Sequence, residues 1–339
     1  TMKVFELRDA WGLDHLHLGE RPRPEPGPGQ VVVAMGAASL NYRDTVMMDR
    51  GYGQRSGQLP IIPISDGAGE VVAIGNGVDR VLVGDLVCPS FSQLWISGPL
   101  KDEYWPGILG GPHDGVMQEF MLLDQSGVVR GPKGWDAVHA ATLPCAALTA
   151  WSAVAGEGRV EAGQTVLIQG SGGVSVFALL FAKMHGARVI ATTSGPKKAA
   201  RLLELGADHV INYHEEERWG RVARDMAGGG GVDLVVEVGG AGTLDQSLRA
   251  VRGGGTLAMI GIVAGGTAEL SLGQVVTRAI RLQGITVGNR DMLEAMIAAI
   301  EQNPITPPID DRIYAFDELP QALATLPAGK HFGKIAIRF

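Results

Sequence analysis

Gly170-Ser171-Gly172-Gly173-Val174-Ser175 follows the apolar run Thr165–Gln169 and opens the helical pattern Val174–His185. Glycine at the first position permits a tight turn, and glycine at the third lets the backbone approach a pyrophosphate. The start of a helix adds free N–H groups and a positive dipole end. The chemistry of such a turn is anion binding, and its ligand would be a dinucleotide. Ser175 stands where the pattern G-x-G-x-x-G has its last glycine, which serves close helix–strand packing; serine is small enough to take that place. An ordinary strand-to-helix connection would read alike. What favours the binding turn is its setting: strand, turn, helix and a second strand, Ala187–Thr192, follow within about thirty residues.

The end of that second strand selects the dinucleotide. An acidic residue there would hold the ribose 2′-hydroxyl of NADH. Between Val174 and Leu203 the chain has no Asp or Glu. It has instead Thr192, Thr193, Ser194, Lys197 and Lys198. Hydroxyls and ammonium groups hold a 2′-phosphate, which a carboxylate would repel, so NADPH is the expected cofactor. The other reading of Lys197 and Lys198 is a solvated helix start.

Regular elements must position these groups. The first 125 residues read mostly as β: Val31–Met35, Glu70–Gly75 and Asp85–Pro89 are short apolar runs between glycine- and proline-rich turns, a compact, barrel-like pattern. Asp136–Ala155 reads as a helix pair broken at Pro144. The period then changes. Thr165–Gln169, Ala187–Thr192, Val232–Val238, Thr256–Ile262 and Arg281–Val287 are strand candidates. Helical patterns separate or follow them: Val174–His185, Lys197–Leu205, Trp219–Met226, Thr243–Val251 and Gly273–Ile280. This alternation predicts an α/β chain with a doubly wound parallel sheet. Asp291–Gln302 reads as a helix, and the chain ends on the strand Gly333–Phe339. The expected division is a β-rich domain over 1–146, completed by 290–339, with a dinucleotide-binding domain over 147–289 inserted.

With 45% hydrophobic and 19% charged residues, the composition is that of a globular protein, and 49 glycines suit its many α/β turns. The net charge of −7 and the lack of a basic stripe argue against nucleic acid as a partner. Cys88 and Cys145 form no disulfide framework, so a reducing, cytoplasmic setting is expected. No run of eighteen apolar residues predicts a membrane span.

Ala38–Gly53, Pro60–Val78, Ala140–Val154, the glycine turn, Leu205–Tyr213 and His331–Ile337 together resemble the medium-chain dehydrogenase/reductase family, in its zinc-lacking, quinone-oxidoreductase-like branch. The resemblance covers essentially the whole chain. It implies a GroES-like β domain and a Rossmann domain. Zinc-dependent members hold a catalytic metal through Cys, His and Cys; the matching positions here are Asn41, Ser65 and Cys145. One soft ligand of three does not make a zinc site, and no metal is expected. The function implied is hydride transfer from NADPH to quinones or α,β-unsaturated carbonyl compounds, small-molecule substrates whose conjugation spreads the developing charge. An enoyl-thioester reductase and a non-catalytic NADPH-binding protein are the alternatives.

The same resemblance implies site residues. Asn41 occupies the former metal-ligand position, Tyr42 offers a phenol beside it, and Tyr52 matches a proton-donating tyrosine of enoyl reductases. Tyr52 also reads as a loop aromatic, and Arg43 with Asp44 as a structural ion pair or surface charges. For the cofactor the implied contacts are Thr149, Gly170, Ser171, Gly172, Gly173, Val174, Thr193, Ser194, Lys198 and Tyr213. Val238, Gly239, Gly261 and Ile262 at strand ends, with Asn289, Phe332 and Lys334, complete the set; the glycines among them also read as turn chemistry. The apolar strand near Arg281–Val287 predicts a homodimer formed edge to edge.

Overall fold

The computed structural model describes residues 1–339. They form two units, Thr1–Leu148 with Gly288–Phe339, and Thr149–Val287. These boundaries lie two residues from those read in the sequence.

The first unit begins with a hairpin of β1 (Met2–Leu7) and β2 (Leu16–Arg21). Then come β3 (Gln30–Ser39), β4 (Asp66–Ile74), β5 (Leu86–Pro89), β6 (Phe120–Asp124) and β7 (Val128–Arg130). The ten-residue β3 organises the sheet, pairing along its length with β4 and over its first half with β6. Its β-branched Val31, Val32 and Val33 are buried, as a strand covered on both faces requires. Two register shifts against β4 curl the ladder. The barrel-like expectation is met only by this curling, because the hydrogen-bonded order is open at both ends.

Helix α1 (Tyr42–Met48) follows β3, and α2 (Ala137–Ala140) packs on the sheet through small side chains, Ala37, Ala68 and Ala336 meeting Val138, Ala140 and Ala141. The helix pair expected to break at Pro144 is one helical run, Ala137–Glu157. Pro144 lies at the start of a π-helical turn, Leu143–Ala147, where its missing N–H interrupts nothing. Helix α3 (Leu148–Trp151) and a second π turn, Ser152–Glu157, complete the run. By length and composition this run could cross a membrane, but 83% of its most apolar window is buried inside the protein.

In the second unit β8 (Thr165–Gln169), β9 (Arg188–Thr193), β10 (His209–Asn212), β11 (Val232–Glu237), β12 (Val251–Met259) and β13 (Arg281–Gly284) form one parallel sheet. Their spatial order is β10-β9-β8-β11-β12-β13. The order reverses between β8 and β11, which is where doubly wound sheets take ligands beyond their strand ends. Helices α4 (Gly173–Met184), α5 (Pro196–Glu204), α6 (Trp219–Met226), α7 (Leu244–Ala250) and α8 (Leu272–Thr277) are the crossovers. All of β8 is buried, which is why it reads as an unbroken apolar run. Strands β11 and β12 end one and three residues earlier than expected, and β13 three residues earlier. Val238, Gly239, Gly261 and Ile262 therefore lie in the turns after their strands, not on them.

The chain then returns to the first unit through α9 (Arg290–Gln302), β14 (Ile309–Ala315), α10 (Leu319–Thr325) and β15 (Lys334–Arg338). Strand β15 pairs with the end of β3, setting Ala336 opposite Ser39. This pairing brings Lys334 to the segment that follows β3.

Candidate active site

In the first unit the candidate residues gather where β3 gives way to α1. Asn41 is the N-cap of α1, extended at φ −127° and ψ 155°. Its N–H donates to Asp44 Oδ2 at 2.7 Å, one half of a capping box. Asn41 Nδ2 reaches Ser65 Oγ at 3.4 Å, and Ser65 Oγ donates to Asp66 Oδ1 at 3.0 Å. The other oxygen of Asp66 accepts the Cys145 N–H at 3.0 Å. Lys334, at the start of β15, donates through Nζ to Asn41 Oδ1 at 2.5 Å and to the Leu40 carbonyl. Asn41, Asp44, Ser65, Asp66, Cys145 and Lys334 are all buried.

Burial sets the electrostatics of this cluster. It pushes the Asp66 carboxyl up to about 6, against the lowering effect of Lys334. It raises Asp44 as well, opposed first by Arg43, and it lowers Lys334, opposed first by Asp66. The Cys145 thiol is pushed far above its ordinary value by burial and then by Asp66. A catalytic zinc ion requires three deprotonated protein ligands, drawn from thiolates, neutral imidazoles and carboxylates. At these positions are a buried neutral thiol, a serine hydroxyl engaged by Asp66, and an amide whose oxygen holds an ammonium group. The residues do not fit zinc.

Tyr42 opens α1 and is half-exposed. Tyr52 lies in the turn after α1, its ring edge-on to Trp105 at 6.1 Å between centroids. The Arg43 guanidinium is 6.0 Å from the Tyr52 ring and donates to the Leu109 and Gly111 carbonyls. Burial raises the Tyr52 phenol, so it keeps its proton at neutral pH. Arg43 and Asp44 lie 3.7 Å apart, the first of the two alternatives the sequence left open. Asn289 caps α9, accepting the Met292 N–H at 2.8 Å and donating to the Gly98 carbonyl at 3.2 Å. Phe332 is buried, and its N–H donates to Asp310.

In the second unit the glycine turn joins β8 to α4. Gly170 has φ +71°, which only glycine adopts without strain. Gly172 is the N-cap of α4, and no side chain caps that helix. A Cβ built on Gly172 would meet nothing within 4 Å. The first turn of α4, with Gly173 and Val174, thus presents its N–H groups to open space, which fits a pyrophosphate. Ser175 is buried, and its hydroxyl donates to the Gln169 carbonyl at 2.7 Å, tying α4 to the end of β8. Ser171 beside it is buried as well.

At the end of β9, Thr193 is buried and its hydroxyl has no hydrogen-bond partner. Such an orphan is unusual and fits a group that accepts or donates there. Ser194 is exposed and Lys198 half-buried on α5, which Pro196 starts. The Tyr213 N–H donates to the Thr193 carbonyl at 3.1 Å, placing Tyr213 beside that strand end. Thr149 on α3 is buried. Gly261 accommodates the Val238 carbonyl, which would lie 2.3 Å from a Cβ there, and Ile262 next to it is exposed.

Sequence reasoning missed the group that joins the ends of β8 and β11. Buried Glu237 accepts from Gly239 N and Gly240 N, both at 2.9 Å, from Gln169 Nε2 at 2.8 Å, and from the Thr243 and Ser247 hydroxyls. Gln169 Oε1 in turn accepts the Val238 N–H at 3.1 Å. This network holds both sides of the sheet's switch point. The signal available was a carboxylate closing the apolar run Leu234–Val236.

Two family models match the chain: an alcohol dehydrogenase GroES-like domain over residues 27–133 and a zinc-binding dehydrogenase domain over 173–302. The second lies outside Asn41, Ser65 and Cys145, so its description does not bear on them. A zinc-type alcohol dehydrogenase-like protein of Schizosaccharomyces pombe is 39% identical over 315 residues, covering 91% of this chain and 90% of its own. Among solved structures, an NAD-dependent alcohol dehydrogenase matches with TM-score 0.90 and 30% identity, covering 100% of both chains. A mycobacterial protein complexed with NADPH matches with TM-score 0.82 and 26% identity, again over 100% of both chains.

Proposed function

We propose, from the premise that the chain belongs to the medium-chain dehydrogenase/reductase family, that it is a zinc-independent, NADPH-dependent reductase of quinones or α,β-unsaturated carbonyl compounds. The observation that carries this reading is the buried Lys334 ammonium bonded to Asn41, at the first of the metal-ligand positions. The Lys334 side chain thus engages the Asn41 oxygen at the position that matches a metal ligand of zinc-dependent members.

When bound, the nicotinamide supplies the hydride. The protein's own groups do the rest. Lys334 on Oδ1 fixes the Asn41 amide, so that its N–H face is the donor. Amide donors of this kind stabilise charge that develops on an acceptor oxygen. Without a Lewis acid they suffice best where conjugation spreads that charge. The Tyr52 phenol, protonated at neutral pH, is the group able to supply the proton. In the second unit the first turn of α4 would hold the pyrophosphate. Thr193, Ser194 and Lys198 would hold the 2′-phosphate, with no carboxylate between Val174 and Leu203 to repel it.

The test is a panel of quinones, enones, ketones and primary alcohols assayed with NADPH and NADH, with and without a chelator. Quinones and enones are expected to turn over with NADPH, unaffected by chelation. The proposal fails if alcohol oxidation depends on stoichiometric zinc, or if NADH is preferred. Tight NADPH binding without turnover of any acceptor would make this a binding protein.

A further inference from the structure

A cavity of about 490 Å³ in the second unit is lined by Arg218, Arg221, Arg224, Gln246, Arg249, Gln274 and Arg278. No carboxylate lines it. Three elements supply the guanidinium groups: α6 and its N-cap, α7, and the residue after α8. The fold accounts for part of this. Arg224 donates to the Arg249 and Val251 carbonyls, and Arg278 to the Leu248 and Val251 carbonyls, closing the end of α7. Arg221 and Arg249 make exposed pairs with Asp225 and Asp245 on their own helices, which are worth little.

Those bonds leave an excess of positive charge. Only two of the five guanidinium groups, those of Arg221 and Arg249, are paired with a carboxylate, and the Arg218 side chain is exposed. Burial and the neighbouring charge of Arg224 both hold Arg278 below its ordinary value. Packing like charges together without a counter-ion costs stability, and an anion would relieve it.

The cavity is separate from the candidate dinucleotide site. None of Gly170–Val174, Thr193, Ser194 or Lys198 lines it. Arg224, Arg249 and Arg278 lie near where α6, α7 and α8 lead into the starts of β11, β12 and β13. The glycine turn follows the C-terminal end of β8 in the same parallel sheet, the opposite end of the strands from these starts.

We propose that this cavity binds a small oligophosphate anion. Guanidinium groups from three elements lining one cavity suit a chain of tetrahedral phosphates, whose oxygens point in several directions. A planar carboxylate serves one fork at a time. The volume exceeds that of a single phosphate.

The experiment is calorimetric titration of the full chain with inorganic tripolyphosphate, with citrate in parallel, in the absence and presence of saturating NADPH. Saturable tripolyphosphate binding is expected, retained with NADPH bound and weakened by added salt. The exposed-site variants Arg218→Gln and Arg221→Gln are each expected to weaken it about tenfold, the loss of one charged hydrogen bond. Lys198→Ala is expected to leave it unchanged. Citrate is expected to bind at least about tenfold more weakly. Absence of saturable binding, competition by NADPH, indifference to both arginine variants, or citrate binding as tightly would each overturn the proposal. Turnover is not needed for the test, so it stands or falls apart from the proposed reduction.

Discussion

Lys334 shares its burial with two carboxylates, Asp44 and Asp66. Removing one partner of such a cluster leaves uncompensated charge, so Lys334→Met is expected to cost about 3–5 kcal/mol in denaturant unfolding. The pH dependence has a definite sign. Asp66 is held at about 6, above its ordinary 3.8. Its contribution to stability is therefore fully present below the ordinary value and is lost as pH rises to about 6. Lys334 lowers Asp66, so Lys334→Met raises it further. The penalty should be largest above pH 6 and shrink as the solution is made acidic, and Asp66→Asn in the same background should reduce that dependence to the part carried by Asp44, which Lys334 also lowers. An equal penalty at every pH would mean that the lysine acts by packing alone. Tyr52→Phe tests the proton: kcat is expected to fall about a hundredfold with KM for NADPH unchanged, whereas wild-type kcat would assign the proton to solvent. At this scale the resemblance pointed to Asn41, Ser65 and Cys145 as the positions that match the metal ligands of zinc-dependent members. It did not show that Lys334, grouped with the cofactor contacts, bonds Asn41, because only the pairing of β15 with β3 joins them. Asp66 escaped for a different reason: one carboxylate in a glycine-rich strand start carries no periodic signal.

The turn between β8 and α4 separates folding from binding more cleanly than any single side chain. Gly172 has an ordinary φ of −74° and open space where a Cβ would stand. Gly172→Val should therefore cost about 1 kcal/mol or less, the loss of a favourable N-cap, while the added side chain fills the space a pyrophosphate needs. Unfolding curves near wild type, with dinucleotide affinity reduced at least about tenfold, are the expected pair of results. Unchanged affinity would remove the turn from the binding site. On α5, Lys198→Glu should raise KM for NADPH about tenfold or more and leave NADH nearly unaffected; equal effects on both would point to a general structural role. Most elements of this unit were legible, since strands buried on both faces read as apolar runs and the helices between them keep a helical period. Strand ends were less so. Turn residues such as Val238 and Ile262 are as apolar as the strands they follow, and what stops β11 is the hydrogen bonding of Glu237, not a change in hydropathy. Helix α1 is too short, at seven residues, to show a helical period, and its one sequence signal is the capping box, Asn41 with Asp44.

At the scale of the molecule, the inserted second unit was legible because a shift from β-rich to alternating patterns marks its start and the reverse shift marks its end. What no pattern within one chain can state is what covers β13. This strand pairs with β12 on one side and ends the sheet. Leu282 on it is 37% exposed, and Leu272 and Val276 on the preceding α8 are 69% and 77% exposed. An unpaired strand edge beside exposed aliphatic side chains is an aggregation hazard in a monomer. A second copy related by a two-fold axis would satisfy both, since a self-complementary edge pairs with itself. The expected mass in light scattering is twice the 35.6 kDa of the chain. Leu282→Glu should shift that mass to the single-chain value, because two like charges would then meet across the axis. Residues of the first unit should keep their stability in that variant, so an unfolded variant is distinguishable from a dissociated one by circular dichroism. A single-chain mass for the unmodified protein at micromolar concentration would leave β13 exposed and remove the dimer.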